Sequence, residues 1–333
     1  MNKKKMTIDD IARELSVSKT TVSRAISGKG RIGQQTRDKV MAYIKENDYM
    51  PSALAKGLAQ KKTYNIGFVM PGDCNLMDIP FFQKCLLGVS EMAASLDYDV
   101  LVSITSEHDI SQLERLVNNH KVDGIILSRT LIDDEAVRYL CEKGIPFITI
   151  GTAKDKNIIQ IDNDHRRACK ELVSLLLAKG IRKMALLGGD KTHMVSEKRL
   201  KGYMDAYSEQ GISLDHSLIY MDVNNNVIVD EIVENLISDN IECIVCMDDF
   251  ICMQVLNKLR KQKIRVPADV KVASFYNSLL LERNIPAITC LSFDIHELGM
   301  VTCKTLIDHI EEKEVQYRTL LGYEVSMRES TQV

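Results

Sequence analysis

No run of 18 uncharged apolar residues occurs in this sequence, and its opening, MNKKKMTIDDIARELSV, has charge but no apolar stretch of signal-peptide length. A soluble, cytoplasmic chain with no membrane partner is expected. Nucleotide fingerprints are missing too: there is neither a G-x-G-x-x-G after a strand nor a G-x-x-x-x-G-K-S/T. The G-x-S-x-G elbow is absent and the seven histidines are dispersed, so no catalytic centre is visible. The chain is expected to be no enzyme and to carry no cofactor. The nine cysteines, at 74, 85, 141, 169, 243, 246, 252, 290 and 303, are odd in number and lack framework spacing, which argues for reduced thiols. CIVC at 243–246 is the one pair with redox or metal spacing. It sits in a strand-like run, where an offset of three places Cys243 and Cys246 on opposite faces, so two small core residues are expected and no metal site.

What is present is a division of charge. The net charge is −3 over 333 residues, yet residues 1–62 hold 14 Lys and Arg against 6 Asp and Glu, a balance of +8, which leaves −11 for the remainder. A length beyond one typical core predicts two or three domains. A basic N-terminal fifth on an acidic body suggests a nucleic-acid module joined to something else.

The basic part reads as three short helices. TIDDIARELS, opening at Thr7, places Ile8, Ile11, Ala12 and Leu15 on one face, with Thr7 as N-cap and acidic residues in the first turn. After a tight turn, VSKTTVSRAISG puts Val22, Ala25 and Ile26 on one side and Lys19, Thr20, Ser23, Arg24 and Ser27 on the other, with Gly28 as the stop. A third helix spans about Gln35 to Glu46, with Val40, Tyr43 and Ile44 inward. Three helices of this size with a tight first turn match a helix-turn-helix domain. The second helix needs little core if its polar face enters a major groove. There Arg24 can donate twice to guanine, Thr20 can meet a thymine methyl or base edge, and Lys19 can reach a base or phosphate. Ser18 and Ser23 suit backbone phosphate. For a lone helix the same face would read simply as solvated surface.

YMPSALAKGLAQKK follows. Residues 52–59 are too few, with Gly57 among them, to be helical alone in water, so a partner must order them. Leu54 and Leu58 at i, i+4 suit a wedge entering a minor groove, or a linker packed on the next domain.

From Tyr64 onward nine strand-like runs, NIGFVM, DVLVSI, VDGIIL, PFITIG, KMALLGG, SLIYMD, ECIVCM, VKVASF and AITCLSF, alternate with helical patterns such as HRRACKELVSLLLAKG. That alternation predicts parallel α/β sheet with crossover helices, and the break near KDKNIIQIDND favours two lobes. Ligands in such folds collect where strands end. Asp73 can accept from hydroxyls there, and Phe81 or Phe82 can stack on a sugar face. Asp162 falls at the crossover, and Arg199, at a helix start, suits adjacent hydroxyls. Asp248 and Phe293 each follow a strand. Any one of these alone is more often an N-cap, a core aromatic or a surface charge.

TIDDIARELSVSKTTVSRAISG, TRDKVMAYIKENDYMPSALAKGLA and IGFVMP together resemble the lactose-repressor family of bacterial transcription regulators, over essentially the whole chain. The resemblance implies an N-terminal three-helix helix-turn-helix DNA-binding domain plus a hinge helix, followed by an α/β two-lobed periplasmic-binding-protein-like effector domain whose lobes are joined by three crossovers. It implies base reading by Lys19, Thr20 and Arg24, a wedge at Leu58, and hinge contacts from Ala55 and Lys56. Thr7, Ser18, Ser23, Arg31 and Ser52 complete the expected DNA-binding set. Effector contacts are implied for Asp162, Arg199 and Asp248. Two departures are local: Gly33 stands where Ser or Thr is usual before the third helix, and Gly57 replaces a better helix former. A third is SFYN in place of Gly-Phe-Asp-Asp, which puts Tyr276 at an aspartate's position; with DIPFF it is similar to the maltose-type branch.

The expected organisation is a DNA-binding domain over 1–50, a hinge over 51–63 and an effector and dimerisation domain over 64–333, with one lobe at about 64–160 and 292–320 and the other at about 161–290 and 321–333. The expected function is a homodimeric repressor of carbohydrate-utilisation genes. It would bind double-stranded DNA at a palindromic operator and switch when a small sugar or sugar phosphate enters the interlobe cleft. The alternatives are a global catabolite regulator with a phosphoprotein corepressor and a transporter-type sugar-binding protein.

Overall fold

The computed structural model describes residues 6–27, 30–47, 62–73 and 79–332. The chain divides into two units, Met1–Tyr64 and Asn65–Val333. In the first, α1 (Ile8–Glu14), α2 (Lys19–Ser27) and α3 (Gln34–Glu46) close on Ile11, Ala12, Val22, Ala25, Val40 and Ile44. Thr7 starts α1 through a capping box: its hydroxyl accepts from Asp10 N while the Asp10 carboxylate accepts from Thr7 N at 3.0 Å. Ser16, at φ +54°, makes the tight turn into α2. Gly33 precedes α3 and supplies no side-chain cap. The expected stop of α2 at Gly28 and the hinge stretch, with Ser52, Leu54, Ala55, Lys56, Gly57 and Leu58, lie outside the described residues.

The second unit holds two six-stranded sheets. The first begins with β1 (Asn65–Pro71), α4 (Ile79–Ser95), β2 (Asp99–Thr105), α5 (Ser111–Asn118), β3 (Gly124–Leu127), α6 (Glu135–Lys143), β4 (Phe147–Ile150) and β5 (Ile159–Asn163). The chain then enters the second sheet through α7 (His165–Ala178), β6 (Met184–Leu187), α8 (Met194–Glu209), β7 (Ile219–Tyr220), α9 (Asn226–Ser238), β8 (Cys243–Cys246), α10 (Asp249–Lys261), β9 (Lys271–Ser274), α11 (Leu279–Glu282) and β10 (Thr289–Ser292). It returns with α12 (Ile295–Ile310) and β11 (Arg318–Leu321), and crosses a third time to β12 (Glu324–Ser326). Strand order is β11-β5-β4-β3-β1-β2 in one sheet and β12-β10-β9-β8-β6-β7 in the other. All pairings are parallel except β10 with β12.

Nine strands were expected here, and the described residues contain twelve. The additions are β5, in the segment read as a break, and the short edge strands β11 and β12. Polar Gln160, Asp162 and Asn163 disguise β5; they are buried because it lies between β4 and β11. The lobe edges shift accordingly. Residue 160 falls inside β5, residue 292 ends β10 in the second sheet, and residue 321 closes β11 in the first.

Cys243 and Cys246 fall on opposite faces of β8. Cys243 belongs to the core beneath α7 and α8, and Cys246 to the core beneath α9 and α10. Glycines bring α4 and α12 into backbone contact. A Cβ on Gly88 of α4 would lie 2.1 Å from His296 O, and one on Gly299 of α12 would lie 2.2 Å from Cys85 O, so the two backbones touch.

Candidate nucleic-acid interface and ligand cleft

In the first unit, among the described side chains of α2, Val22 and Ala25 alone are buried. Lys19, Thr20 and Arg24 are exposed, Ser23 is half-buried, and Arg31 is exposed in the loop before α3. A Cβ on Gly30, at φ +91°, would sit 3.0 Å from Arg24 Cδ, so the loop backbone supports the arginine stem. Ser18, expected at a phosphate, caps α2 instead, its Oγ accepting from Thr21 N at 3.0 Å. Thr7 likewise serves its own helix. Lys19 Nζ lies 2.6 Å from the Asp9 carboxylate of α1.

In the second unit the expected cleft residues fall into three groups at strand ends. The first follows β1, where Asp73 does not stand open for a hydroxyl. Its carboxylate takes a 2.6 Å ion pair from Arg129 and a 2.8 Å hydrogen bond from Glu107 N. Burial raises the Asp73 carboxyl, but these two donors outweigh it and hold the group below its usual range. Arg129 follows β3 and also faces Asp190 and His193 of the other lobe electrostatically. The lobes are joined here: Ile132 N donates to Thr192 O at 2.8 Å, Met194 N donates to Thr130 O at 3.2 Å, and Leu131 pairs with His193.

The second group is aromatic. Phe81, near the start of α4, meets Tyr276, after β9, edge to face at 6.3 Å, one residue from each lobe. Phe82 is buried and packs 5.1 Å from Phe81, which makes it a support for that ring.

The third group surrounds the first crossover. Asp162 on β5 accepts from Thr152 Oγ1 at 3.0 Å and from Asn163 N at 2.8 Å, with His165 Nε2 3.7 Å away. Burial pushes its carboxyl up to about 6 despite these donors and the nearby Lys198 and Arg199. His165 is buried and held well below its ordinary value, first by desolvation and then by Arg199. Its ring packs 4.7 Å from Phe293, which leans on the second lobe's core. Arg199 lies in the second turn of α8, not at a helix start, because α8 begins at Met194. It donates to Met247 O at 2.6 Å. Asp248 is the N-cap of α10, Oδ1 accepting from Ile251 N at 2.8 Å. Arg199 Nε, His165 Nδ1 and Asn163 Oδ1 are buried without a hydrogen-bond partner. Three unmet polar atoms around one crossover are what a hydroxyl-bearing ligand would satisfy.

Sequence reasoning missed Arg129, His165, His193 and Lys198. The strand-end rule that selected Asp73 reaches Arg129, two residues beyond β3. His165 carries no such signal, because Arg199 and Phe293 meet it only in the fold. Among the described residues there is no cluster of His, Cys, Asp and Glu able to hold a metal, and no helix is long and apolar enough to cross a membrane.

Two family models match the chain. Residues 7–52 match bacterial regulatory proteins of the lacI family, and residues 63–324 match the periplasmic binding proteins and sugar binding domain of the LacI family. Catabolite control protein A of Staphylococcus xylosus is 28% identical over 333 residues, covering 98% of this chain and 99% of that protein. A probable maltose operon transcriptional repressor from Staphylococcus aureus superposes with a TM-score of 0.75 at 25% identity, over 81% of this chain and 99% of that one. The lac repressor dimer bound to operator and an anti-inducer gives a TM-score of 0.78 over 99% of this chain and 100% of that one; at 21% identity this speaks to fold alone.

Proposed function

The chain belongs to the LacI family of bacterial regulatory proteins, and from that premise we propose that it is a homodimeric repressor of carbohydrate-utilisation genes whose operator affinity is set by a small carbohydrate in the interlobe cleft. The observation that carries the reading is α2, which spends two buried side chains on docking and leaves Lys19, Thr20 and Arg24 exposed. Arg24 and Thr20 address base edges, while Lys19 reaches a base or phosphate. Ser23 and Arg31 are further DNA contacts. Two such units on a dimer suit a palindrome with half-sites about one helical turn apart.

The effector reading is supported by the cleft. Asn163, His165 and Arg199 offer unmet polar atoms beside the buried Asp162 carboxylate, and the Phe81 and Tyr276 rings offer an apolar face to a sugar. Because residues of both lobes line this space, a ligand favours one relative setting of the lobes. Operator and effector affinities are then coupled reciprocally. A second reading, a global catabolite regulator acting with a phosphoprotein corepressor, is favoured by the full-length similarity to catabolite control protein A.

The test combines selection from a randomised duplex library with titration of the selected operator across neutral sugars, sugar phosphates and a phosphorylated carrier protein. Enrichment of a palindrome, with affinity changed by one sugar, supports the first reading. Operator affinity constant across all sugars removes the inducer, and a response to the phosphoprotein alone favours the second reading.

A further inference from the structure

The ion pair between Asp9 and Lys19 has no role in folding the first unit that other residues do not already fill. The α1 cap is complete without Asp9, since Thr7 is the N-cap and Asp10 the reciprocal acceptor. The Lys19 side chain is 70% exposed and that of Asp9 47%; the Asp9 oxygen against Lys19, Oδ1, is buried, and the exposed part of the carboxylate is its other side. An exposed pair of this kind contributes little to stability. Its effect is positional: it brings a carboxylate from α1 to the first residue of α2, the end of a recognition helix that meets base edges.

Resting on the DNA-binding reading above, we propose that Asp9 and Lys19 act together as one reader of a G·C base pair, and that Asp9 is a specificity-determining residue of this repressor. In the major groove a G·C pair presents two adjacent acceptors, N7 and O6 of guanine, beside one donor, the N4 amine of cytosine. The Lys19 ammonium matches the acceptors and the Asp9 carboxylate matches the amine. An A·T pair places its donor between two acceptors, so a carboxylate held against the ammonium faces the O4 of thymine and is repelled. The same carboxylate repels backbone phosphate on every sequence, and only the cytosine amine offsets that cost, which lowers affinity for random sequence in a unit whose overall charge favours any DNA. Arg24 supplies attraction to its own base, and Asp9 supplies rejection of wrong partners.

The full chain and its Asp9→Asn, Asp9→Ala and Lys19→Ala variants are each taken through selection from a randomised duplex library, followed by titration on the selected operator and on random-sequence DNA. The wild type is expected to enrich a G·C pair at one position in each half-site beside that read by Arg24. Asp9→Ala loses that preference and binds random DNA about tenfold more tightly, on the scale of one base contact. Asp9→Asn, which retains an acceptor without the charge, falls between, and Lys19→Ala loses the same base preference while binding random DNA more weakly. The Arg24 position is unchanged in both Asp9 variants. If Asp9→Ala shifts the melting temperature but keeps the wild-type base preferences and random-DNA affinity, Asp9 is merely structural and the proposal is overturned. A wild type that enriches no sequence refutes the DNA-binding reading itself, a different result.

Discussion

Asp162→Asn separates the cost of a ligand site from its benefit. The buried Asp162 carboxyl lies at about 6 against an unperturbed 3.8. A shift of roughly 2 pH units corresponds to about 3 kcal/mol favouring the protonated form in the folded chain. The sign follows from linkage: a carboxyl raised on folding destabilises the protein above pH 6, where it is ionised, and this burden fades as pH falls through 6 toward 4. Asparagine is nearly isosteric and can keep the local bonds. Its carbonyl can accept from Asn163 N, and its amide can donate to Thr152 Oγ1 once that hydroxyl turns. The variant is therefore expected to be more stable than the wild type by about 2 to 3 kcal/mol at pH 8, or about 5 to 10 °C in melting temperature. By pH 5 the gain should fall to about half.

His165 acts in the opposite sense. Its depressed value means stability is lost as pH falls through the ordinary histidine range of about 6.5, because the unfolded chain takes up the proton. That contribution is common to both proteins and cancels in their difference. Thermal melts of both between pH 5 and pH 8, repeated with the effector found in the sugar titration, measure both effects. The reasoning fails if Asp162→Asn is destabilised at pH 8, or if the difference between the two proteins does not change with pH. The variant should also lose its ligand-induced shift while keeping operator affinity.

Arg24→Ala should relax operator preference at one base position per half-site, at about 1 to 3 kcal/mol in a titration against single-base variants. Gly30→Ala should weaken operator binding by a similar amount, because the new methyl meets the Arg24 side chain at 3.0 Å and the backbone is held at φ +91°. Gly299→Ala should cost about 2 to 3 kcal/mol in a denaturant melt of the whole chain, since the methyl would lie 2.2 Å from Cys85 O, a backbone atom that cannot turn aside. Adding Gly88→Ala should cost less than a second full penalty, because both changes open the same helix contact. Arg199→Ala should abolish the sugar-induced change in operator affinity with operator binding itself retained, read by titration with and without the sugar.

The DNA-facing unit was legible because its signals are local. Thr7 and Ser18 stand one residue before α1 and α2, and the buried Ile11, Val22 and Val40 fall where helical spacing puts them. The strands with wholly apolar interiors, such as GIIL and CIVC, were legible for the same reason. β5 was not, because two of its polar residues are satisfied by groups elsewhere: Gln160 Nε2 donates to the backbone of Asp155 and Ile158, and Asp162 accepts from Thr152. Pattern registers side-chain polarity and misses such pairing. The group of Asp162, His165, Arg199 and Phe293 was half legible, since strand ends mark positions while partnership across the crossover depends on topology.

Several residues chosen for ligand chemistry turned out to be helix caps, and the overlap has a physical cause. A cap needs a short side chain with an acceptor oxygen beside unpaired backbone N–H groups, at the point where a strand hands over to a helix. A ligand site in an open α/β fold needs polar side chains at that same point, because strand ends leave space there. Thr7 and Ser18 sit in a unit with no sheet among its described residues, so capping says nothing about ligand. Asp248 sits at a strand end, with Oδ1 on Ile251 N and Oδ2 3.6 Å from where a Gly189 Cβ would lie. Its Oδ1 anchors α10, so the cap holds this carboxylate at the strand end. Asp73 is held by residues distant in sequence, its two oxygens taken up by Arg129 and Glu107. Asp162, likewise engaged at both oxygens, differs from Asp73 in its surroundings: burial raises its carboxyl beside unmet polar atoms of Asn163, His165 and Arg199, a setting that residue type and spacing do not encode.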